Sequence, residues 1–104
     1  MSLYAWTQDL PIDAAIYGEI TARMGDAKMP GLLVHIAIEL PDGKLHYVDV
    51  WESEEACDAA FEAVIHPAVH PVLTARKVVV NGEPPRTALN VIDVRFADGS
   101  SVQG

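Results

Sequence analysis

The feature that most constrains the fold is a strand that runs directly into a helix at residues 47–56. Residues 47–51 are mostly β-branched or aromatic with period-two alternation, which is typical of a half-buried strand. Ser53 then stands where a helix N-cap belongs, because its hydroxyl can accept a backbone N–H of the first turn. Glu54 and Glu55 place negative charge at the positive end of the helix dipole. A strand and a helix must therefore follow each other here almost without a loop.

The rest of the chain supplies three more strands and one more helix. Isoleucine or methionine at every fourth position from Ile12 to Met24 gives the first helix an apolar face, and Gly25 ends it. The order strand, helix, strand, strand, helix, strand is that of the ferredoxin-like, or split βαβ, arrangement. The sequence thus predicts an α+β fold, an antiparallel sheet with both helices on one face. The predicted strands cover residues 3–6, 32–40, 45–51 and 88–96, and the predicted helices cover residues 12–24 and 53–65.

Three segments lie outside this plan. Pro67 and Pro71 are expected to kink or interrupt the chain after the second helix. The apolar run at residues 78–80 either extends the sheet or reaches across to a partner. Residues 98–104 are expected to form a frayed polar tail.

Composition narrows the class of protein. The 104 residues form one domain, residues 1–104, and their formal net charge of −8 argues against a nucleic-acid partner or an anionic membrane. No apolar run reaches the ~18 residues of a membrane span, and the N-terminus does not have the pattern of a signal peptide. The single Cys57 cannot form an internal disulfide, so a cytoplasmic location is expected.

The turn between the two central strands decides which side chains face each other. A two-residue turn at Asp42-Gly43 would bury Asp49 among isoleucines without compensation, so a three-residue turn, Pro41-Asp42-Gly43, is preferred. The preferred register pairs Leu40 with Lys44, Val34 with Val50, His35 with Asp49, Ile36 with Val48, Ala37 with Tyr47, and Leu33 with Trp51.

This register divides the sheet into two faces. The aliphatic face, with Val34, Ile36, Val48 and Val50, is expected to receive the helices. The other face is expected to be open, and it carries His35, Asp49, Leu33, Tyr47, Trp51, Leu89 and Val91. Since an apolar face of that size should not stay in water, it is predicted to pack on a second copy of the chain, to line a cavity, or both.

Two segments also resemble a known superfamily. Residues 30–37 (PGLLVHIA) and residues 47–56 (YVDVWESEEA) together look like the dimeric α/β-barrel superfamily, most closely its antibiotic-biosynthesis-monooxygenase-like proteins. The resemblance covers most of residues 3–96. It implies that two ferredoxin-like subunits pack their open sheet faces into a barrel, with a small ligand pocket in each subunit.

One branch of that superfamily bears on the cofactor. The haem-degrading monooxygenases use a histidine after this junction as the axial haem ligand, and His70 falls at that position. Ala60 stands where those enzymes have a second tryptophan, and residues 3–7 contain no counterpart of their first-strand asparagine. The resemblance leaves two alternatives open: no cofactor, or haem bound through His70.

The candidate catalytic pair is His35 with Asp49. The carboxylate would orient the imidazole, which could take a proton from a phenol or an enol. The alternative is a polar pair that merely satisfies two buried groups at a dimer interface. The candidate substrate contacts are Leu33, Tyr47, Trp51 and Arg95: the aromatic rings could stack on an aromatic substrate or simply pack the core, and Arg95 could bind a ligand anion or pair across a dimer.

The remaining histidines and the cysteine are weaker candidates. His66 and His70 are four residues apart, a spacing that can chelate a metal, but Pro67 lies between them and no third ligand is near in sequence. No metal site is predicted, and two surface histidines are the simpler interpretation. Cys57 has no basic neighbour in sequence to lower its pKa, so a catalytic role is not expected.

Three functional hypotheses follow. The first is a homodimer with a small-molecule site, a cofactor-independent monooxygenase acting on an aromatic or polyketide-type substrate through His35 and Asp49. The second is a haem-binding or haem-degrading protein with His70 as ligand. The third is a non-catalytic ligand-binding or structural dimer.

Overall fold

The computed structural model describes residues 3–79 and 82–104. A strand and a helix open the chain, a hairpin of two long strands follows, and a long helical region leads to three short strands. In chain order the elements are β1 (Tyr4–Leu10), α1 (Ala14–Met24), β2 (Leu32–Glu39), β3 (Leu45–Trp51), α2 (Glu54–Ala60), a π-helical segment (Phe61–Ile65), α3 (His66–Ala75), β4 (Arg86–Leu89), β5 (Asp93–Arg95) and β6 (Ser101–Gln103).

The main sheet has four strands in the order β2-β3-β1-β4, and every neighbouring pair is antiparallel. The helices cover one of its faces, where α1 and α3 also pack on each other. The predicted α+β, ferredoxin-like architecture is therefore confirmed. None of the described helices is long and apolar enough to cross a membrane.

The predicted register of the central hairpin is confirmed along most of its length. His35 lies opposite Asp49. At the turn, Leu40 N–H donates to the carbonyl of Lys44 and the Leu40 carbonyl accepts from Gly43 N–H, as expected for a three-residue loop. The register changes near the start of β2, where one extra residue lies between Leu32 and Val34. This β-bulge places Leu32 opposite Trp51, so the predicted pairing of Leu33 with Trp51 is wrong.

The assignment of the two faces is reversed. The helices cover the face that carries His35 and Tyr47, because Tyr17 of α1 contacts both of these rings. The aliphatic face is open along β2, where Ile36 is 47% exposed, while Val50 and Ala5 on the same face are buried. Leu89 lies on this aliphatic face too, since it pairs with Ala5 and Ala5 pairs with Val50.

The helical region after β3 is continuous, so of the two outcomes expected at the prolines, a kink or an interruption, the interruption does not occur. Ser53 caps α2 as predicted, with its hydroxyl accepting from Ala56 N–H. Proline lacks an N–H, and its ring would clash with the carbonyl four residues earlier. Just before Pro67 the helix widens into the π-helical segment, which the backbone N–H of His66 closes by donating to the carbonyl of Phe61. Pro71 lies inside α3, which continues to Ala75.

The C-terminal part also differs from the prediction of one long strand. β4 ends at Leu89, and residues 93–103 form a separate two-stranded hairpin with Val94 opposite Val102. The expected frayed tail thus contains β6. Of the apolar run at 78–80, Val78 packs against the core, Val79 is exposed, and Val80 lies outside the described residues.

Two apolar clusters hold the helices to the sheet. The first lies between α1 and α3 and contains Ile16, Ile20 and Val72. The second lies under α2, where Trp6 and Trp51 pack against Cys57. The candidate site lies against both clusters, because Tyr47 contacts each of them.

Candidate functional site

A buried carboxylate anchors the site. Asp49 is 1% exposed, on β3, and two donors satisfy its two oxygens. The indole Nε1–H of Trp51 donates to Oδ2 at 3.0 Å, and His35 Nδ1 lies 2.6 Å from Oδ1. The alternation of the strands produces this cluster, since Asp49 and Trp51 are two residues apart on β3 and His35 is opposite Asp49 on β2.

The structure adds a residue that the sequence interpretation missed. Tyr17 of α1 places its hydroxyl 2.9 Å from His35 Nε2, and its ring stacks over the imidazole. The sequence carried one signal for it: Tyr17 precedes Ile20 and Met24 by three and seven residues, so it belongs to the apolar face of the helix. Only the assignment of that face to the His35 side of the sheet was lacking.

Hydrogen-bond chemistry assigns the protons in this network. An ionised carboxylate only accepts, so Nδ1 of His35 carries the proton that is shared with Asp49. In neutral imidazole Nε2 is then an acceptor, and the Tyr17 hydroxyl donates to it. The carboxylate therefore accepts from two donors. Tyr17 donates to His35 and His35 donates to Asp49, while Trp51 donates to Asp49 directly.

Burial keeps both tyrosines of the site protonated. The pKa of Tyr17 is raised, first by burial and then by the negative charge of Asp49. The pKa of Tyr47 is raised well above the ordinary value, again chiefly by burial. Both groups are thus neutral phenols at physiological pH, and each can donate one hydrogen bond.

The network opens onto a cavity of about 450 Å³ between the sheet and the helices. A cavity of this size is in the range of small-molecule sites, which are mostly apolar with a few convergent polar groups. One wall is formed by Tyr17, His35, Tyr47, Asp49 and Trp51. The remaining walls are mainly aliphatic and aromatic side chains from β1, the loop after it, α1, the π-helical segment and α3, among them Leu10, Ile12, Ile20, Met24, Phe61, Ile65, Val69 and Leu73.

The other predicted substrate contacts separate into two groups. Tyr47 and Trp51 line the cavity, and their role as substrate contacts stays a prediction. Leu33 does not line it, because the β-bulge gives that position to Leu32. Arg95 is also remote: it lies on the separate hairpin, 64% exposed at its side chain, and pairs with Asp93 at 3.3 Å.

The two helical histidines line the same cavity from α3. Their rings stack with 5.4 Å between centroids, and the His66 ring also meets Phe61 edge to face. Within the described parts of the chain, no three His, Cys, Asp or Glu side chains are grouped to hold a metal ion. An axial-ligand role for His70 stays a prediction. Cys57 is fully buried and burial raises its pKa, which keeps it a thiol.

A second His–Asp pair lies on the open face of the sheet. His46 Nδ1 is 2.7 Å from Asp9 Oδ1, and the Asp9 side chain is 82% exposed. This pair has the same two residue types and the same contacting nitrogen as the His35 pair, but it does not line the cavity. It is therefore a natural internal control for the chemistry of the buried pair.

Comparison with known proteins gives a structural likeness without a sequence relationship. No protein-family model matches the chain, and no curated protein matches its sequence. A solved structure from Chloroflexus aurantiacus J-10-fl, described as a "putative Antibiotic biosynthesis monooxygenase", superposes with a TM-score of 0.61 at 17% identity. The match covers 91% of this chain and 98% of that one. The chain therefore shares the ferredoxin-like fold of an antibiotic-biosynthesis-monooxygenase-like protein over nearly its whole length.

Proposed function

We propose that the cavity binds a small, largely apolar aromatic molecule, and that His35 removes a proton from its hydroxyl or enol group. The observation that carries this proposal is the Trp51–Asp49–His35–Tyr17 network at the wall of an apolar cavity, buried at Trp51 and Asp49 and accessible at His35 and Tyr17. A buried carboxylate with two donors holds the imidazole in one tautomer and stabilises the imidazolium that forms when it accepts a proton.

The reaction class that fits is cofactor-independent oxygenation of a polyketide-type aromatic substrate. The structural neighbour supports the monooxygenase part of this proposal, since it is described as a "putative Antibiotic biosynthesis monooxygenase". Removing the proton leaves an electron-rich anion that can react with dioxygen. For an anthrone, a ring CH₂ becomes C=O, one oxygen atom of O₂ enters the product, and the other leaves as water. The substrate supplies four electrons and dioxygen accepts them, so atoms and electrons balance with O₂ as co-substrate.

The test measures aerobic oxidation of 1,8-dihydroxyanthrone, followed by the absorbance of the quinone. We expect His35→Ala to lower the protein-dependent rate by about 10²–10⁴-fold, because it removes the general base. The matched control is His46→Ala, which removes the imidazole of the exposed His–Asp pair and should leave the rate unchanged. No protein-dependent oxidation, or an equal rate in His35→Ala, would contradict the proposed chemistry.

We also propose that the chain forms a homodimer through its open sheet face. Ile36, Ile38 and Leu89 expose 47%, 39% and 38% of their surface there, and Val34 and Val48 lie between them, half-buried. An apolar face of this kind is typical of a protein–protein interface. The His35 site does not depend on it, because the chain's own helices cover that face.

Sedimentation velocity of the wild type and two variants tests this proposal. We expect the wild type to sediment as a dimer and Ile36→Asp as a monomer, because the substitution would place an unpaired charge at the centre of the apolar contact. Ile36→Val, which keeps the contact apolar, should remain dimeric. A monomeric wild type, or a dimer that survives Ile36→Asp, would rule out this interface.

A further inference from the structure

The hydrogen bonds of the site all converge on the Asp49 carboxylate, and this determines which group the network presents to a ligand. Trp51 and His35 both donate to Asp49, and Tyr17 donates to His35. Each of these three protons is therefore already donated within the network that ends at the Asp49 carboxylate. The group at the cavity end is the Tyr17 hydroxyl oxygen: its only proton is donated to His35, and among the described residues no donor points at its lone pairs.

We infer that Tyr17 is the catalytic group that contacts the substrate, and that it recognises a ligand O–H donor and relays its proton to His35. This inference rests on the proposed function of the site. Tyr17 Oη lies 2.9 Å from Nε2 of His35, which is the nitrogen of that ring that can accept a proton. A ligand that leaves Tyr17 in place reaches His35 through this hydroxyl.

The relay balances as a double proton transfer. The ligand O–H bond breaks and a new O–H bond forms on Tyr17, while the original Tyr17 O–H bond breaks and an N–H bond forms on Nε2 of His35. The electron pair stays on the ligand oxygen, which becomes an oxyanion. The positive charge stays on the imidazolium beside Asp49, 2.6 Å away.

The transfer also reverses the hydrogen bonds on either side of the Tyr17 hydroxyl, while His35 and Trp51 still donate to Asp49. After it, Nε2–H of His35 donates to Tyr17, and the Tyr17 hydroxyl donates to the new oxyanion. The same oxygen thus accepts from the neutral substrate and donates to the anion that it produces. Such a group stabilises the charge that develops during the reaction more than the ground state.

The surroundings hold Tyr17 in position for this role. Its neighbours Ile16 and Ile20 are buried in the core, and Asp13 caps the start of α1 by accepting from the backbone N–H of Ile16 at 2.9 Å. The Tyr17 ring is fixed between two others, stacked on His35 and edge-on to Tyr47 at 5.7 Å between centroids. Burial raises the pKa of Tyr17, so the hydroxyl stays protonated until the transfer.

The test compares two ligands of nearly equal shape, 2-naphthol and 2-methoxynaphthalene, by isothermal titration of the intact protein. Only the first carries an O–H donor. We expect the wild type to bind 2-naphthol about tenfold more tightly, as one additional hydrogen bond would give. In Tyr17→Phe, which keeps the ring, the ratio should fall to about one. Tyr4→Phe is the matched control: it removes a tyrosine hydroxyl that contacts Arg86 outside the cavity, and it should keep the tenfold ratio.

A second measurement needs no ligand. ¹⁵N NMR of the imidazole should show His35 protonated on Nδ1 with Nε2 as acceptor, and Tyr17→Phe should shift the Nε2 resonance while Tyr4→Phe should not. A proton on Nε2 instead of Nδ1 would overturn the inference and the general-base role of His35 with it, and would leave only the binding of an aromatic ligand. Equal binding of both ligands by the wild type, or a ratio that survives Tyr17→Phe, would overturn the relay through Tyr17 and leave the proposed function of His35 intact. Failure of both ligands to bind would contradict the aromatic-ligand proposal itself, and the relay with it.

Discussion

Replacing Trp51 by alanine is expected to lower the free energy of unfolding by about 3–5 kcal/mol. The side chain is fully buried, and it packs against Cys57 and, with 6.3 Å between ring centroids, against Phe61. Its N–H also satisfies one oxygen of Asp49, which the substitution would leave without that donor. A domain of this size is stable by about 5–15 kcal/mol, so the substitution should remove a large fraction of the total.

Urea denaturation followed by circular dichroism measures this loss. Comparing substitutions of Trp51 and Trp6 separates the contribution of packing from that of hydrogen bonding. Trp6 is equally buried, but its indole N–H has no well-formed hydrogen bond within the described residues, only the weakly accepting Cys57 thiol beside it. Trp51→Phe should therefore cost about 1 kcal/mol more than Trp6→Phe. Equal losses in the two phenylalanine variants would mean that the contact between Trp51 and Asp49 contributes little.

Replacing Asp49 by asparagine is expected to abolish proton abstraction while the fold is retained. Asparagine has one acceptor and one donor group where the carboxylate has two acceptors. Its oxygen must face the Trp51 N–H, which can only donate, so its NH₂ faces Nδ1 of His35. The imidazole must then carry its proton on Nε2, and it no longer has a free acceptor for Tyr17. We expect the rate of anthrone oxidation to fall by about 10²–10⁴-fold.

The stability of the same variant distinguishes a tautomer change from unfolding. Asp49→Asn should unfold about 1–2 kcal/mol more easily than the wild type, whereas Asp49→Ala should lose about 3 kcal/mol, because it leaves two buried donors without an acceptor. ¹⁵N NMR should show the His35 proton moved from Nδ1 to Nε2 in Asp49→Asn. An active Asp49→Asn with an unchanged tautomer would show that the carboxylate does not orient the imidazole.

Local patterns in the sequence were sufficient for the elements and for the central pairing. The cap at Ser53 and the alternation up to Trp51 predicted the junction of β3 and α2, and both are observed. The turn at residues 41–43 predicted that His35 faces Asp49, because shifting the register by one residue would move every side chain to the other face. The candidate pair was therefore found from sequence alone.

The β-bulge, the helix distortion and the ends of the strands were harder to predict from the sequence. Nothing in the residues before Val34 marks the extra residue in β2, which gives Leu32 the cavity position predicted for Leu33. The prolines at 67 and 71 predicted a kink or an interruption, and the helix is not interrupted: α3 packs on α1 and a π-helical segment precedes Pro67. These outcomes depend on contacts distant in sequence, which local propensities do not contain.

Which face of the sheet the helices cover required the tertiary structure. Alternation separates the aliphatic set around Ile36 from the set around His35, but both contain enough apolar surface to be a core. Asp49 can lie buried on the face that the helices cover, because Trp51 and His35 satisfy both of its oxygens. Tyr17 then completes the network from α1, eighteen residues from His35 in the chain. The register follows from short-range pattern, whereas the choice of face follows from aromatic packing and hydrogen bonds that exist only once the helices are docked.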